Sequence, residues 1–195
     1  MVTCCSVKKA VLVNIGLIGT FSFNGNKILT TGGGGAIVSQ DAGLLKRAKK
    51  LTTTARTMSE GEFVHDEVGY NYRMPNINAA LGCAQLEHLS DHLLVKRRLT
   101  MAYADAFRQV ENVRFLLEPD YAQSNYWLNA VILNDTHISS RSLLLEETAA
   151  VGFQCRPAWR LLHKLPMYHD CPRMPLECAE VLQEGIINIP SSSIF

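Results

Sequence analysis

Lys27 is the residue whose neighbours best prepare it for chemistry. It stands in Phe21-Ser22-Phe23-Asn24-Gly25-Asn26-Lys27-Ile28-Leu29-Thr30-Thr31, which runs directly into Gly32-Gly33-Gly34-Gly35. An amine presented at the end of a strand, in a tight turn, is a nucleophile toward carbonyl compounds and a candidate for Schiff-base formation. Glycines carry no Cβ, so the backbone amides of such a run can approach another group closely. This is not a phosphate-binding P-loop, in which the lysine follows the glycines and opens a helix. Here Lys27 comes first, and Ala36-Ile37-Val38 beyond the glycines reads as a strand. The residues alone leave two plainer readings open. The lysine can be a solvated surface residue, and the glycine run can be only a turn.

Other constellations are weaker. His88 and His92 are four apart beside Glu87, so both can share a helical face. They lack a third ligand at metal-binding spacing, and the glutamate does not fit the HExxH pattern, so no metal site is expected. The six cysteines form no CxxC pair. Scattered single cysteines suit a reducing compartment, where they act as small apolar side chains. Charge is nearly balanced, 19 Lys+Arg against 18 Asp+Glu, which leaves no footprint for nucleic acid or an anionic membrane. The basic run Lys46-Arg47-Ala48-Lys49-Lys50 reads as the wet face of a helix over Leu44, Leu45 and Leu51. No apolar run approaches the roughly 20 residues that span a bilayer. Residues 10–18 imitate a leader but are interrupted by Asn14 and Gly16, and a cytoplasmic location is expected.

The elements that must position Lys27 follow an alternation of strand and helix. After the strand Ala36–Ser39, Asp41 starts a helix with Leu44, Leu45, Ala48 and Leu51 at helical spacing. Residues 52–64 are polar, contain Gly61, and read as a loop. A long helical pattern starts at Asn76, read as its cap, and runs to about Val110, with a break expected near Ser90-Asp91. Val113–Leu117 and Tyr126–Leu133 read as strands, Ser139 or Ser140 caps a helix through Ala150, and Gly152 ends it. Phe153–Arg156 returns as a strand, and Leu176–Gln183 is a short helix.

Two separated stretches carry a family resemblance. Gly19 through Gly35 resembles the lysine segment of the DegT/DnrJ/EryC1/StrS pyridoxal-phosphate-dependent sugar aminotransferases. Gly69-Tyr70-Asn71-Tyr72-Arg73-Met74-Pro75-Asn76, followed by Ala79-Ala80-Leu81-Gly82 and Gln85-Leu86-Glu87, is similar to a second motif of the same family, in the same order. Gly33, where much of the family has glutamate, is similar to the branch making 4-amino-4,6-dideoxy sugars, of legionaminic acid, bacillosamine and perosamine type. The resemblance implies an α/β chain corresponding to the C-terminal half of a type I, aspartate aminotransferase-like fold. Residues 1–95 would be the end of the large, cofactor-binding domain and residues 96–195 the small domain. It implies pyridoxal 5′-phosphate as cofactor and Lys27 as the lysine that binds its aldehyde and shuttles a proton. That amine must be neutral to attack, which a partly desolvated site favours.

By the same resemblance Ser22 bonds the cofactor phosphate, and Asn71 reaches the phosphate of a partner subunit in a homodimer with shared sites. Arg156, His163 and Tyr168 would line the nucleotide-sugar site, with Trp159 near them. Without the family, Ser22 and Asn71 read equally as turn residues, and the aromatic residues as packing. The implied reaction moves an amino group, with glutamate as donor, to a nucleotide-linked 4-keto-6-deoxy sugar for surface polysaccharide or glycan synthesis. The family's dehydratase minority has histidine in place of the lysine, which Lys27 disfavours. Met1-Val2-Thr3-Cys4-Cys5 departs from the family, and the upstream aspartate that pairs with the pyridine nitrogen has no counterpart in this sequence. An N-terminally truncated chain is therefore expected, one that folds poorly or associates. The alternative function is a non-catalytic remnant or dimerisation module of such an enzyme.

Overall fold

The computed structural model describes residues 6–7, 10–11 and 15–192. The readings made of Met1–Cys5 and of part of the run 10–18 fall outside these. In chain order the strands are β1 (Ser6–Val7), β2 (Ala10–Val11), β3 (Gly19–Ser22), β4 (Gly35–Val38), β5 (Arg56–Ser59), β6 (Glu62–His65), β7 (Val113–Phe115), β8 (Ala122–Gln123), β9 (Asn129–Leu133), β10 (Arg156–Pro157) and β11 (Ile186–Ile189). The helices are α1 (Ala42–Thr52), α2 (Asn76–Glu87), α3 (Leu89–Phe107), α4 (Arg141–Ala150) and α5 (Glu177–Gly185). The chain divides into two compact units, the first running to Leu93 and including Pro119–Asn125, the second comprising Leu94–Glu118 and Tyr126 onward. No helix among the described residues is long and apolar enough to cross a membrane.

The first unit holds three small antiparallel sheets: β2-β1-β8, β3-β4 and β5-β6. Helix α1 begins where its sequence says it should. Asp41 Oδ1 accepts from the amides of Gly43 (2.8 Å) and Leu44 (3.0 Å), satisfying two of the donors a helix start leaves open. Asn76 is not the cap of α2. It is the first helical residue, after an extended Pro75 that makes no side-chain cap bond. The long helical pattern breaks at His88, within two residues of the expected place.

The stretch 52–64 is not a loop, because β5 and β6 pair across it from Arg56↔His65 to Ser59↔Glu62. Its turn residues Glu60 and Gly61 both take left-handed φ, 51° and 87°, as a two-residue hairpin requires. Almost every residue of the pair is exposed, so no buried face writes an apolar alternation into the sequence.

In the second unit, β10-β11-β9-β7 form one antiparallel sheet. Val131, Leu133 and Ile187 are its buried centre, with Phe107, Val113, Phe115, Leu145 and Ile189 packed around them. Tyr103, Phe107 and Phe115 meet with ring centres 6.0–6.4 Å apart. The central strand β11 starts directly at the end of α5, whose last carbonyls Arg141 covers by donating to Gln183 O (2.9 Å) and Glu184 O (2.6 Å). The strand expected at Phe153–Arg156 is displaced to Arg156–Pro157, while Gly152 takes φ 88° just past α4 as expected of a helix end. Arg97 grips Glu118 with two parallel bonds of 2.8 and 3.0 Å. The buried Lys96 donates to Ser191 O at 2.6 Å, and burial holds its pKa below the usual lysine value. Ile187 has no exposed surface, so Ile187→Ala leaves a cavity and should lower unfolding free energy by about 2–5 kcal/mol. Urea unfolding checks this, and a loss of only a few tenths would place the core elsewhere.

Candidate functional site

Strands β3 and β4 pair with Phe21 opposite Ala36 and Ser22 opposite Gly35, and Lys27 lies in the loop that joins them. A Cβ at Gly35 would lie 2.3 Å from Phe21 O, closer than any carbon can approach, so only glycine lets the two strands meet here. The Phe23 amide then donates to Gly34 O at 3.0 Å, closing the loop. Inside it, Phe23 O accepts from both the Thr31 amide and Thr30 Oγ1, each at 3.0 Å, and the Lys27 amide donates to Asn24 O at 3.0 Å. Leu29 and Thr31 are the buried anchors of this loop, and Lys27 between its turns is half-buried. Ser22 is exposed, with Oγ accepting from the Asn24 amide at 3.4 Å, which leaves its own hydrogen available to a ligand. Gly33 is different from Gly35, having nothing within 4 Å of the position a Cβ would take.

Helix α2 fixes the loop from outside. Asn78 Nδ2 donates to Thr31 O at 2.5 Å, and a Cβ at Gly82 would lie 2.9 Å from Thr31 Cγ2. Sequence reasoning noticed Gly82 only as part of a motif and missed Asn78. The available signal was the glycine itself, since one inside a helix costs about 1 kcal/mol relative to alanine and so calls for a packing reason.

The second motif runs along the end of α1. Tyr70 N donates to Leu51 O (2.7 Å), Tyr72 N to Thr52 O (2.9 Å), and Thr54 N to Tyr70 O (2.9 Å), with Thr53 and Asn71 bridged. Gly69 passes so close that a Cβ would sit 2.4 Å from the Ala55 amide nitrogen. Ion pairs join the preceding turn to the same helix: Lys50 to Asp66 (2.6 Å) and Glu67 (3.0 Å), and Arg47 to Glu67. Hydrogen bonds from Arg47 and then Lys50 lower the Glu67 pKa to about 2. Asn71, Arg73, Lys49 and Asn78 line a cleft of about 930 Å³ together with Gly33–Gly35. Two cations and no carboxylate line it, so the cleft favours an anion. Lys27 and Ser22 do not line this cleft. The structure therefore gathers Ser22 with Lys27 on one hairpin and sets Asn71 in a neighbouring cleft. Arg156, His163 and Tyr168 belong to the second unit, where Arg156 and Tyr168 are exposed and His163 Nε2 donates to Glu180 Oε1 at 2.8 Å.

Comparison with known proteins decides what this geometry belongs to. The profile of the DegT/DnrJ/EryC1/StrS aminotransferase family matches residues 5–194. The chain belongs to that family. It is 36% identical over 185 residues to EpsN of Bacillus subtilis (strain 168), named as a pyridoxal phosphate-dependent aminotransferase, covering 91% of this chain and 46% of EpsN. It is 31% identical over 181 residues to the GDP-perosamine synthase of Caulobacter vibrioides, covering 91% of this chain and 48% of the synthase. Among solved structures it superposes on Helicobacter pylori PseC, an aminotransferase involved in the biosynthesis of pseudoaminic acid. That match has a TM-score of 0.87 and 21% identity over 95% of this chain and 51% of PseC. The chain thus spans about half the length of the relatives it matches, and its mixed α/β architecture is about half of a type I fold.

Pyridoxal phosphate asks a DegT/DnrJ/EryC1/StrS chain for an amine at its aldehyde and hydrogen-bond donors at its phosphate. The hairpin supplies both types within six residues, as Lys27 and the free hydroxyl hydrogen of Ser22, beside the unobstructed Gly33. The residues present fit the group. Two outcomes follow. Gly35→Ala should lower the urea midpoint clearly while Gly33→Ala leaves it nearly unchanged, and equal effects would contradict the close passage at Phe21. For Glu67, a folded pKa below the unfolded one means its pairing stabilises fully above about pH 4.5 and is lost as pH falls toward 2. Glu67→Gln should flatten that part of the stability–pH curve, and an unchanged curve would show the pairing to be idle.

Proposed function

We propose that this chain is the lysine-bearing part of a sugar aminotransferase. It would move the amino group of an amino-acid donor, glutamate in the simplest case, to the carbonyl carbon of a nucleotide-linked 4-keto-6-deoxy sugar. The donor leaves as its 2-oxo acid, and the sugar gains an amine at the former ketone. The observation that carries the reading is Lys27, half-buried in a loop whose two strands can close only around Gly35. Its support in kinship is the name GDP-perosamine synthase, carried by three of the relatives, whose product is a nucleotide-linked sugar.

Pyridoxal phosphate, when bound, supplies the electron sink that makes the Cα–H bond of an amino acid acidic and carries the nitrogen between substrates. The residues of this chain would contribute in the following ways. Lys27 Nζ would hold the cofactor through its aldehyde and, as a neutral amine, would move the proton at the donor's Cα. Ser22 Oγ, with its hydrogen available, would donate to the cofactor's phosphate. Asn71, which lines a cleft with Arg73 and Lys49, would hold the cofactor phosphate of a second subunit, so a homodimer with shared sites is part of the proposal. Arg156, His163 and Tyr168 are assigned to the sugar nucleotide, through charge for its phosphates and hydrogen bonds for its oxygens.

The test is to add pyridoxal phosphate to the purified chain, reduce with borohydride, and map the modified peptide by mass. A stable pyridoxyl group on Lys27, abolished in Lys27→Ala and retained in Lys49→Ala, is the expected result. Labelling spread over surface lysines would overturn the assignment and favour the reading of the chain as a non-catalytic dimerisation module.

A further inference from the structure

Lys96 stands on α3 and is 5% exposed, far more buried than a charged side chain ordinarily is. Its Nζ makes one hydrogen bond, to Ser191 O at 2.6 Å, and no carboxylate among the described residues pairs with it. The side chains around it are polar and equally closed off. Thr100 is fully buried, its Oγ1 2.9 Å from Lys96 O and 2.8 Å from Asn129 Oδ1. The buried Asn129 gives its backbone amide to Ser191 Oγ, which in turn donates to Ile189 O, both at 2.7 Å. Tyr103 completes the set by donating to Pro190 O at 3.0 Å. Pro190 and Ser191 thus form a strap that continues β11 and is held to α3 and β9 by side chains.

This cluster has more donors than acceptors. Asn129 Nδ2 is buried without a hydrogen-bond partner. An ammonium at Lys96 would bring three donors and no acceptor, whereas the neutral amine gives up one hydrogen and gains a lone pair. A buried charge without a partner is costly, and the proton is the part that can leave. No carboxylate opposes its departure. β9 and β11 contain no titratable residue. On α3, Arg97 is bonded to Glu118, Tyr103 to the strap with Cys155 near it, and His92 stands one turn before Lys96. Burial, rather than a neighbouring charge, holds the Lys96 pKa below the usual lysine value.

We propose that Lys96 is carried in the folded chain as an uncharged amine and clasps the strap Pro190–Ser191, which loosens when the amine takes up a proton from water. The neutral amine still donates to Ser191 O, so the clasp needs no charge. An unfolded lysine keeps its proton up to about pH 10.5, so unfolding takes up a proton between the lowered folded pKa and that value. Stability therefore rises with pH across this window, about ten-fold in the folding equilibrium per pH unit, and is flat below it.

The direct test follows the lysine 13Cε resonances of the purified chain through a pH titration. One resonance, absent from Lys96→Met, should titrate below those of the exposed lysines. Urea unfolding from about pH 7 to pH 10 should show stability rising relative to Lys96→Met, which has no proton to release. Lys96→Arg, whose charge cannot be lost, should be less stable than Lys96→Met throughout. Hydrogen exchange of the peptide ending at Ser191, corrected for its intrinsic pH dependence, should quicken in the wild type as pH falls and stay level in Lys96→Met. A Lys96 resonance that titrates with the exposed lysines would overturn the proposal. So would parallel stability curves for the wild type and Lys96→Met, wild-type stability in Lys96→Arg, or exchange at the strap that ignores pH.

Discussion

The passage of Gly35 beneath the Phe21 carbonyl is the contact on which the lysine hairpin depends. Any side chain there would push β4 away from β3, and the two strands of four residues each have few other bonds to hold them. A short two-stranded hairpin is marginal alone in water. This one is steadied because its joining loop folds inward, burying Leu29 and Thr31 and turning the Phe23 carbonyl into a double acceptor. Each such hydrogen bond contributes a net ~0.5–1.5 kcal/mol, so the loop's order is built from several modest terms rather than one strong one. Lys27 inherits its position from that order.

Helix α2 connects the two motifs physically. Its Asn78 and Gly82 face the buried Thr31 of the lysine loop, while the extended segment before it carries Asn71 and Arg73 along the end of α1. Gly69 and Gly82 have the same function as Gly35 in different settings, each allowing backbone or side chain to approach more closely than alanine would. The two sequence motifs are therefore joined by packed contacts at Thr31 of the lysine loop. Ion pairs of Arg47 and Lys50 with Asp66 and Glu67 hold the second motif on α1 from its exposed side, where screening keeps their contribution small.

Much of this was legible in the sequence because local chemistry and fold agreed. Asp41 capped α1 through two amides, Gly152 ended α4, and the break in the long helical pattern fell near the place expected from its length. The glycines after the lysine announced a turn that leads into a strand, and Lys27 lies in the loop joining β3 and β4. What was not legible had no local cause. Strands β5 and β6 bury no face, so pairing between Arg56–Ser59 and Glu62–His65 left no alternation to read. Strand β11 follows α5 without an intervening turn residue, and only its burial between β9 and β10 makes Ile187 central. Asn78 and the Trp127–Trp159 stack are long-range contacts, which spacing cannot encode.

The central claim is that the β3–β4 hairpin presents Lys27, and no other amine, to a cofactor aldehyde. The most direct measurement is a crystal structure of the chain grown with pyridoxal phosphate. The account predicts electron density continuous with Lys27 Nζ, with the phosphate within hydrogen-bond distance of Ser22 Oγ. Density joined to a different lysine, or a phosphate bound away from Ser22, would contradict it.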